Sequence, residues 1–221
     1  MAQAGIHGLV GAAVRRWAPR REWLILGIVL GNILPDVDNL AVAAATLTGG
    51  NTEGLHRTFT HSLFTVLAIV VLFEIIGRAS QRPRWRNLGW GLGIGVLMHV
   101  LLDLVIWFNG VQILWPLPSW INLWEGVAPA EWWSQLMLPI EFLFFALFFH
   151  WLRVVILRDG GEPGSLNLWI GVQALLFVLF TVLVYTMESG FMTPYGALYL
   201  LSLGLAWALT IRAQSALERV A

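Results

Sequence analysis

Seven consecutive residues, His56-Arg57-Thr58-Phe59-Thr60-His61-Ser62, carry two imidazoles, a guanidinium and three hydroxyls immediately before a long apolar run, Leu63 to Ile76. Imidazoles five apart supply neutral nitrogen ligands suited to zinc or another transition ion. The planar fork of Arg57 matches a phosphate, although a snorkelling role at a membrane interface would equally suit an Arg in this place. Thr58, Thr60 and Ser62 either orient ligands or cap the following helix.

Other apolar segments hold polar residues of the same kind. His99 and Asp103 are four apart, which places both on one helix face as ligands or as an ion pair. Asp36 and Asp38 flank a Val after Pro35. Carboxylates this close repel unless a cation or proton separates them, so a bridging role is the natural use, with a helix N-cap as the alternative for Asp38. His7 and Glu141 stand alone in apolar stretches, and a buried Glu requires a partner. His150 reads as structural, and Glu74 and Glu188 as helix-end residues.

The elements that must position these groups are membrane helices. Of 221 residues, 58% are hydrophobic and 12% charged, whereas soluble chains carry roughly a quarter charged residues. The spacing predicts a short helix over 3–14, a second over 23–34 broken at Pro35, a small-residue segment over 40–47, and helices over 60–77, 88–109, 135–157, 166–187 and 194–211. The fold expected is an all-α polytopic transmembrane bundle of about six or seven helices, one short or broken. It forms a single membrane-embedded domain over 1–221, with the metal-site core in 1–157 and additional transmembrane helices in 166–211. Gly89, Gly91, Gly93 and Gly95 allow close packing against a neighbour. Residues 110–134, rich in Trp and Pro, suit an interfacial belt.

Net charge is zero, which offers nothing to nucleic acid, and all thirteen basic residues are Arg. Cysteine is absent, leaving His, Asp and Glu as ligands. Arg-bearing segments at 15–21, 78–86, 153–158 and 212–219 alternate with Arg-poor ones. By the positive-inside rule the N-terminus lies outside and the C-terminus in the cytoplasm. Asp36, His61, Asp103 and Glu141 each lie fifteen to seventeen residues from a basic segment. At 1.5 Å per residue they share a level roughly 22–26 Å from the cytoplasmic charges. Zincin, P-loop, nucleophile-elbow and dinucleotide-binding motifs are all missing.

The ordered set of His7, Leu34-Pro35-Asp36-Val37-Asp38, His56-Arg57-x-Phe59-Thr60-His61-Ser62, His99-x-x-x-Asp103 and Leu114-Trp115-Pro116 resembles the YdjM family of bacterial inner-membrane, metal-dependent hydrolases. The resemblance runs from residue 7 to about 145. It implies metal ligation by His7, Asp36, Asp38, His56, His61, His99, Asp103 and Glu141. Thr58 stands where the family has Gly, Asn39 where a His is common, and the Thr-Pro usual after the Asp103 position is missing. The family is in turn similar to the zinc-dependent phospholipase C and P1 nuclease group, which implies phosphoester hydrolysis.

Together these readings point to a hydrolase with two or three divalent ions, zinc by ligand type, acting on a lipid-borne phosphoester such as a phospholipid or polyprenyl phosphate. Asp38 would bind metal or take a proton from water, and Arg57 would stabilise phosphate charge. Two rivals remain: a divalent-cation transporter using the same ligands, and a structural protein whose metal pins helices. The inner halves of the helices offer few polar groups beyond His150, and a structural zinc needs only four ligands.

Overall fold

The computed structural model describes residues 3–187 and 189–219; Glu188 lies outside them. Among the described residues the chain is a helical bundle with α1 over Ala4–Ala13, α2 over Leu24–Ile33, α3 over Asn39–Thr48 and α4 over Leu63–Ala79. It continues with α5 over Pro83–Ile106, α6 over Glu131–Leu136, α7 over Ile140–Arg158, α8 over Leu166–Thr186, α9 over Met192–Arg212 and α10 over Gln214–Arg219. Among the described residues five stretches are long and apolar enough to cross a membrane: 24–48, 83–106, 140–158, 166–186 and 192–212. The 17-residue α4 lies alongside α5 with Phe64, Leu67, Val71, Leu72 and Ile75 exposed, the outward apolar surface expected of a helix facing lipid.

The seam between α2 and α5 organises the site. Gly27 and Gly31 on α2 meet Gly91 and Gly95 on α5, so closely that a Cβ on Gly27 would stand 2.9 Å from the Gly91 Cα. In lipid no hydrophobic drive draws helix to helix, so association relies on small residues that let backbones approach and gain dispersion contacts. Gly89 and Gly93, two residues out of phase, face α4 instead, where Phe73 and Val70 fill the space. Gly91, Gly95, His99 and Asp103 form one i, i+4 row. The face that draws α5 against α2 therefore continues into the face that carries the ligands.

Several boundaries differ from the sequence expectation. Pro83 opens α5 at a first-turn position that needs no N–H, so Arg84 and Arg86 belong to the helix. The stretch expected as one helix over 135–157 divides around Pro139 into α6 and α7. His61 sits ahead of α4 in a single 3-10 turn, Phe59–His61, because Ser62 caps α4 by accepting the Thr65 N–H at 3.2 Å. Residues 107–130 form a loop pinned by an antiparallel bridge between Val111 and Ile121. It is tied to the site by the Gln112 N–H donating to the Arg57 carbonyl at 2.9 Å and the Leu63 N–H donating to the Ile113 carbonyl at 2.9 Å.

The apolar core lies mostly in the second half of the chain. Phe142, Phe145, Phe148 and Phe149 of α7 pack with Phe180 of α8 and with Tyr195 and Tyr199 of α9. The ring of Phe142 stacks on Phe180 at 5.2 Å and meets Tyr195 edge-on at 5.4 Å.

Candidate metal centre

The fold gathers His7, Asp36, His61, His99 and Asp103 from separate segments into one buried cluster, each at most 2% exposed. Glu141 is fully buried as well, but it stands in none of the groups able to hold an ion. The His7 Nε2 lies 3.0 Å from Asp103 Oδ1, and its ring stacks on that of His99 with centroids 3.6 Å apart. The His99 Nε2 stands 3.1 Å from His61 Nε2, 3.8 Å from Asp36 Oδ1 and 3.8 Å from Asp103 Oδ2. Asp38 joins through His61, and His56 through Asp38.

Hydrogen bonds assign the protons on these rings. The His99 Nδ1 is 2.7 Å from the Asn32 carbonyl, which can only accept, so Nδ1 carries the hydrogen and Nε2 the lone pair. Thr60 donates its one hydroxyl proton to Asp38 Oδ2 at 2.8 Å, and therefore accepts from His61 Nδ1 at 2.9 Å. In the neutral ring that leaves the His61 Nε2 with a lone pair as well. With both rings neutral, two lone pairs face each other across 3.1 Å in a buried site. Such an arrangement is repulsive unless a proton or a metal cation lies between them. Two imidazoles on one tetrahedral zinc at 2.0–2.1 Å would stand about 3.3–3.4 Å apart, close to the spacing found.

The carboxylates point the same way. Neither oxygen of Asp36 has a hydrogen-bond partner, although both are buried. Glu141 accepts the Gly5 N–H at 2.9 Å through Oε1, while its Oε2 has no partner, and neither does His7 Nδ1. Isolated buried charge costs several kcal/mol per ion, so a set like this persists when a cation completes it. Three overlapping groups bring their donor atoms close enough to hold a metal ion: His7 with His99 and Asp103, Asp36 with His61 and His99, and Asp38 with His56 and His61. The orphaned oxygens of Asp36 and the opposed nitrogens fit a divalent ion with mixed nitrogen and oxygen ligands.

Asp38 differs from the other acids because its oxygens are already engaged. Oδ1 takes His56 Nδ1 at 2.7 Å, and Oδ2 takes the Arg57 N–H at 3.2 Å and the Thr60 hydroxyl. The His61 Nδ1 is a further 3.3 Å neighbour of Oδ2. A carboxylate behind two imidazoles orients both rings toward whatever they bind. Outside the spans, burial lowers the pKa of His56 from its ordinary value and outweighs the opposing pull of Asp38, which favours the neutral ring.

Arg57 is buried rather than snorkelling. Its Nε is 3.2 Å from Asp103 Oδ2, its Nη1 donates to the Asn109 carbonyl at 3.2 Å, and it lies over the Trp107 ring. Its backbone adopts φ +63°, a left-handed conformation that costs a non-glycine residue on the order of 1–3 kcal/mol and persists only when neighbours hold it. The Asp38 carboxylate and Gln112 N–H supply that hold. Of the three hydroxyls, Thr60 orients ligands, Ser62 caps α4, and Thr58 donates to the Gly54 carbonyl within the turn.

Sequence reasoning overlooked Asn32. It is fully buried, it sets the His99 tautomer through its carbonyl, and its Oδ1 has no partner. An amide inside the apolar run Leu24–Ile33 was the available signal. His150 is exposed and stands in none of the groups able to hold an ion.

Fold and site together define a helical membrane protein with a buried His/Asp cluster able to hold metal. The chain belongs to the YdjM family: the family model, described as YdjM inner membrane protein, matches residues 1–192. That match extends past residue 145, where the resemblance was expected to stop, through α8 to the first residue of α9. No curated protein and no solved structure shows significant similarity to the chain.

Proposed function

We propose that this protein is a membrane-bound, metal-dependent hydrolase that cleaves a phosphoester in a lipid-borne substrate. The observation that carries the proposal is the pair of opposed lone pairs on His61 and His99 beside the unpartnered Asp36 carboxylate. Two donor groups that share His99, namely His7 with His99 and Asp103 and Asp36 with His61 and His99, would hold the first ions. Three overlapping donor groups make two or three zinc ions the natural loading, with His56 as a further ligand beside His61 and Asp38. Bound zinc would supply Lewis acidity, lowering the pKa of water and polarising a phosphoryl oxygen.

The protein's own groups do the rest. Asp38, with both oxygens occupied, positions His56 and His61 in preference to acting as a base. Arg57, fixed by Asp103 and Asn109, places positive charge beside the cluster where a phosphoryl group gains negative charge. The loop over 107–124 covers Arg57 and excludes water. The Arg distribution supports an N-terminus outside and a C-terminus in the cytoplasm, which sets the site toward the outer leaflet. A cation-transport reading fares worse, because the α2–α5 seam below the cluster is closed by Gly27 against Gly91 and lined by Ile28, Leu92 and Val96.

The test is metal content of the detergent-purified protein by elemental mass spectrometry, with His61→Ala and Asp103→Ala alongside, followed by assay of phosphate-bearing product from membrane lipids. Two or more ions per chain, lost with turnover in both variants, is the expected result. Purification in chelator-free buffer without any divalent ion would sink the proposal.

A further inference from the structure

At the end of α1 and α7 away from the metal cluster lies a groove of about 550 Å³, within the roughly 300–1,000 Å³ of typical ligand sites. Leu9, Ala12 and Ala13 of α1 and Trp151 of α7 line its apolar part. Arg15, Arg16 and Arg158 supply its charge, and among the described residues no carboxylate lines it.

Helix packing brings these like charges together. A Cβ on Gly5 would stand 2.7 Å from the Phe145 backbone nitrogen, and one on Gly8 would stand 3.0 Å from the Phe148 ring. The two contacts advance in step, so α1 and α7 run parallel and finish near one level. Arg15 and Arg16 end α1 in a 3-10 turn, Val14–Arg16, and Arg158 is the last residue of α7.

Charge at this end is not balanced. Among the described residues, none of the three arginines forms an ion pair, and Asp159, which follows Arg158, is held by Arg219 at 2.7 Å. The C-termini of two helices offer about half a negative charge each, so an excess of about two positive charges remains. Arg15 keeps its share out of water. Its Nε and Nη2 are buried without a partner, which leaves Nη1 as the nitrogen open to a ligand. Burial first, and then the charge of Arg158, lower its pKa from the ordinary value, and Asp159 opposes them less. Arg16 and Arg158 are exposed at the rim, with Arg16 over the Trp17 ring.

We propose that this groove binds the phosphate of an anionic phospholipid from the leaflet at the Arg-bearing face. Guanidinium groups accept phosphate oxygens in pairs, and basic pockets between membrane helices take anionic head groups. A zwitterionic lipid brings its own cation and leaves the excess charge in place. A soluble anion leaves bare the apolar wall of Leu9, Ala13 and Trp151. By joining Arg15 to Arg158, the lipid offsets the repulsion between the ends of α1 and α7. The site is separate from the metal cluster and stands whether or not the protein is a hydrolase.

The experiment is native mass spectrometry of the full-length protein in detergent, titrated with phosphatidylglycerol or with phosphatidylethanolamine of the same acyl chains. A third arm adds millimolar inorganic phosphate to the phosphatidylglycerol complex. Wild type is compared with Arg15→Gln, Arg158→Gln, the double variant, Arg16→Gln and Arg82→Gln. Arg82 is exposed between α4 and α5, outside the groove, and controls for the loss of one charge. Melting curves without added lipid report that each variant folds.

Wild type is expected to hold phosphatidylglycerol about tenfold more tightly than phosphatidylethanolamine. Arg15→Gln and Arg158→Gln should each weaken phosphatidylglycerol about fivefold and the double variant roughly twentyfold, with a smaller loss in Arg16→Gln and none in Arg82→Gln. Equal affinity for the two lipids in wild type would overturn the proposal. So would unchanged affinity in Arg16→Gln and the double variant, or displacement of the lipid by phosphate, which would assign the groove to a soluble anion. Where Arg15→Gln or Arg158→Gln fails to fold, the wild-type comparison and the exposed Arg16 decide the matter.

Discussion

The two ends of α5 treat charge in opposite ways. At its start, Arg84 and Arg86 are partly exposed and each has a carboxylate, Glu22 at 3.5 Å and Glu74 at 2.9 Å. Arg219 with Asp159 at 2.7 Å adds another such pair on the outside of the bundle. Seventeen residues on from Arg86, Asp103 lies among rings and carboxylates that are fully buried and only partly satisfied. The first kind of pair is complete, and water can replace either partner at little cost. The second kind is incomplete, and burial keeps bulk water from replacing what is missing. Incompleteness under burial, rather than charge as such, marks the site.

Substitutions sharpen this contrast, and the largest effect belongs to Asp103→Ala. It strips Arg57 of a buried partner and removes a metal ligand, with an expected loss of about 3–5 kcal/mol. The check is a melting curve in detergent against wild type; equal stability would show that the cluster carries no coupled charge. Gly95→Leu comes next, because a Cβ there would stand 2.7 Å from the Asn32 backbone nitrogen. Separating α2 from α5 should cost about 1–3 kcal/mol or more and release metal, although no ligand has been altered. Full metal content in a folded Gly95→Leu protein would break the link between the glycine row and the ligand row.

Thr60→Val is a finer probe. It removes the hydroxyl that joins Asp38 to His61, and metal affinity should fall about 10–100-fold while the fold survives. A competition titration with a chelating dye reads this directly. Acidification should release metal as well, at a pH below the ordinary imidazole range, since burial disfavours the protonated His56 ring and protons must compete with the ion for the nitrogens. The smallest effect is reserved for the exposed pair: Arg219→Ala should change stability by about 0–1 kcal/mol and leave metal content untouched.

Much of the site was legible in the sequence because lipid makes polar residues conspicuous. His7, Asp36, His61, His99 and Asp103 each interrupt or border an apolar run, and counting residues from the Arg segments put most of them at one depth. The four-residue spacing of His99 and Asp103 also stated their shared face, which the helix bears out. The division of α6 from α7 was foreshadowed by Pro139, yet helix periodicity does not show where a chain resumes after such a break. The division of labour among Thr58, Thr60 and Ser62 stayed open, since caps and ligand-orienting groups use the same hydroxyl.

By itself, the sequence determined that this chain is a membrane helical bundle and that its scattered imidazoles and carboxylates belong together. Hydropathy and charge are properties of residue type, and in a bilayer they leave few alternatives. Only the tertiary structure decided what each group does. The tautomers of His61 and His99 depend on a hydroxyl in the preceding turn and a carbonyl on another helix. The engagement of Asp38 depends on a left-handed turn at Arg57. The pairing of α3 with α9, about 150 residues apart in sequence, arises in the same way. Donor direction and empty space arise between segments, and no spacing along one segment encodes them.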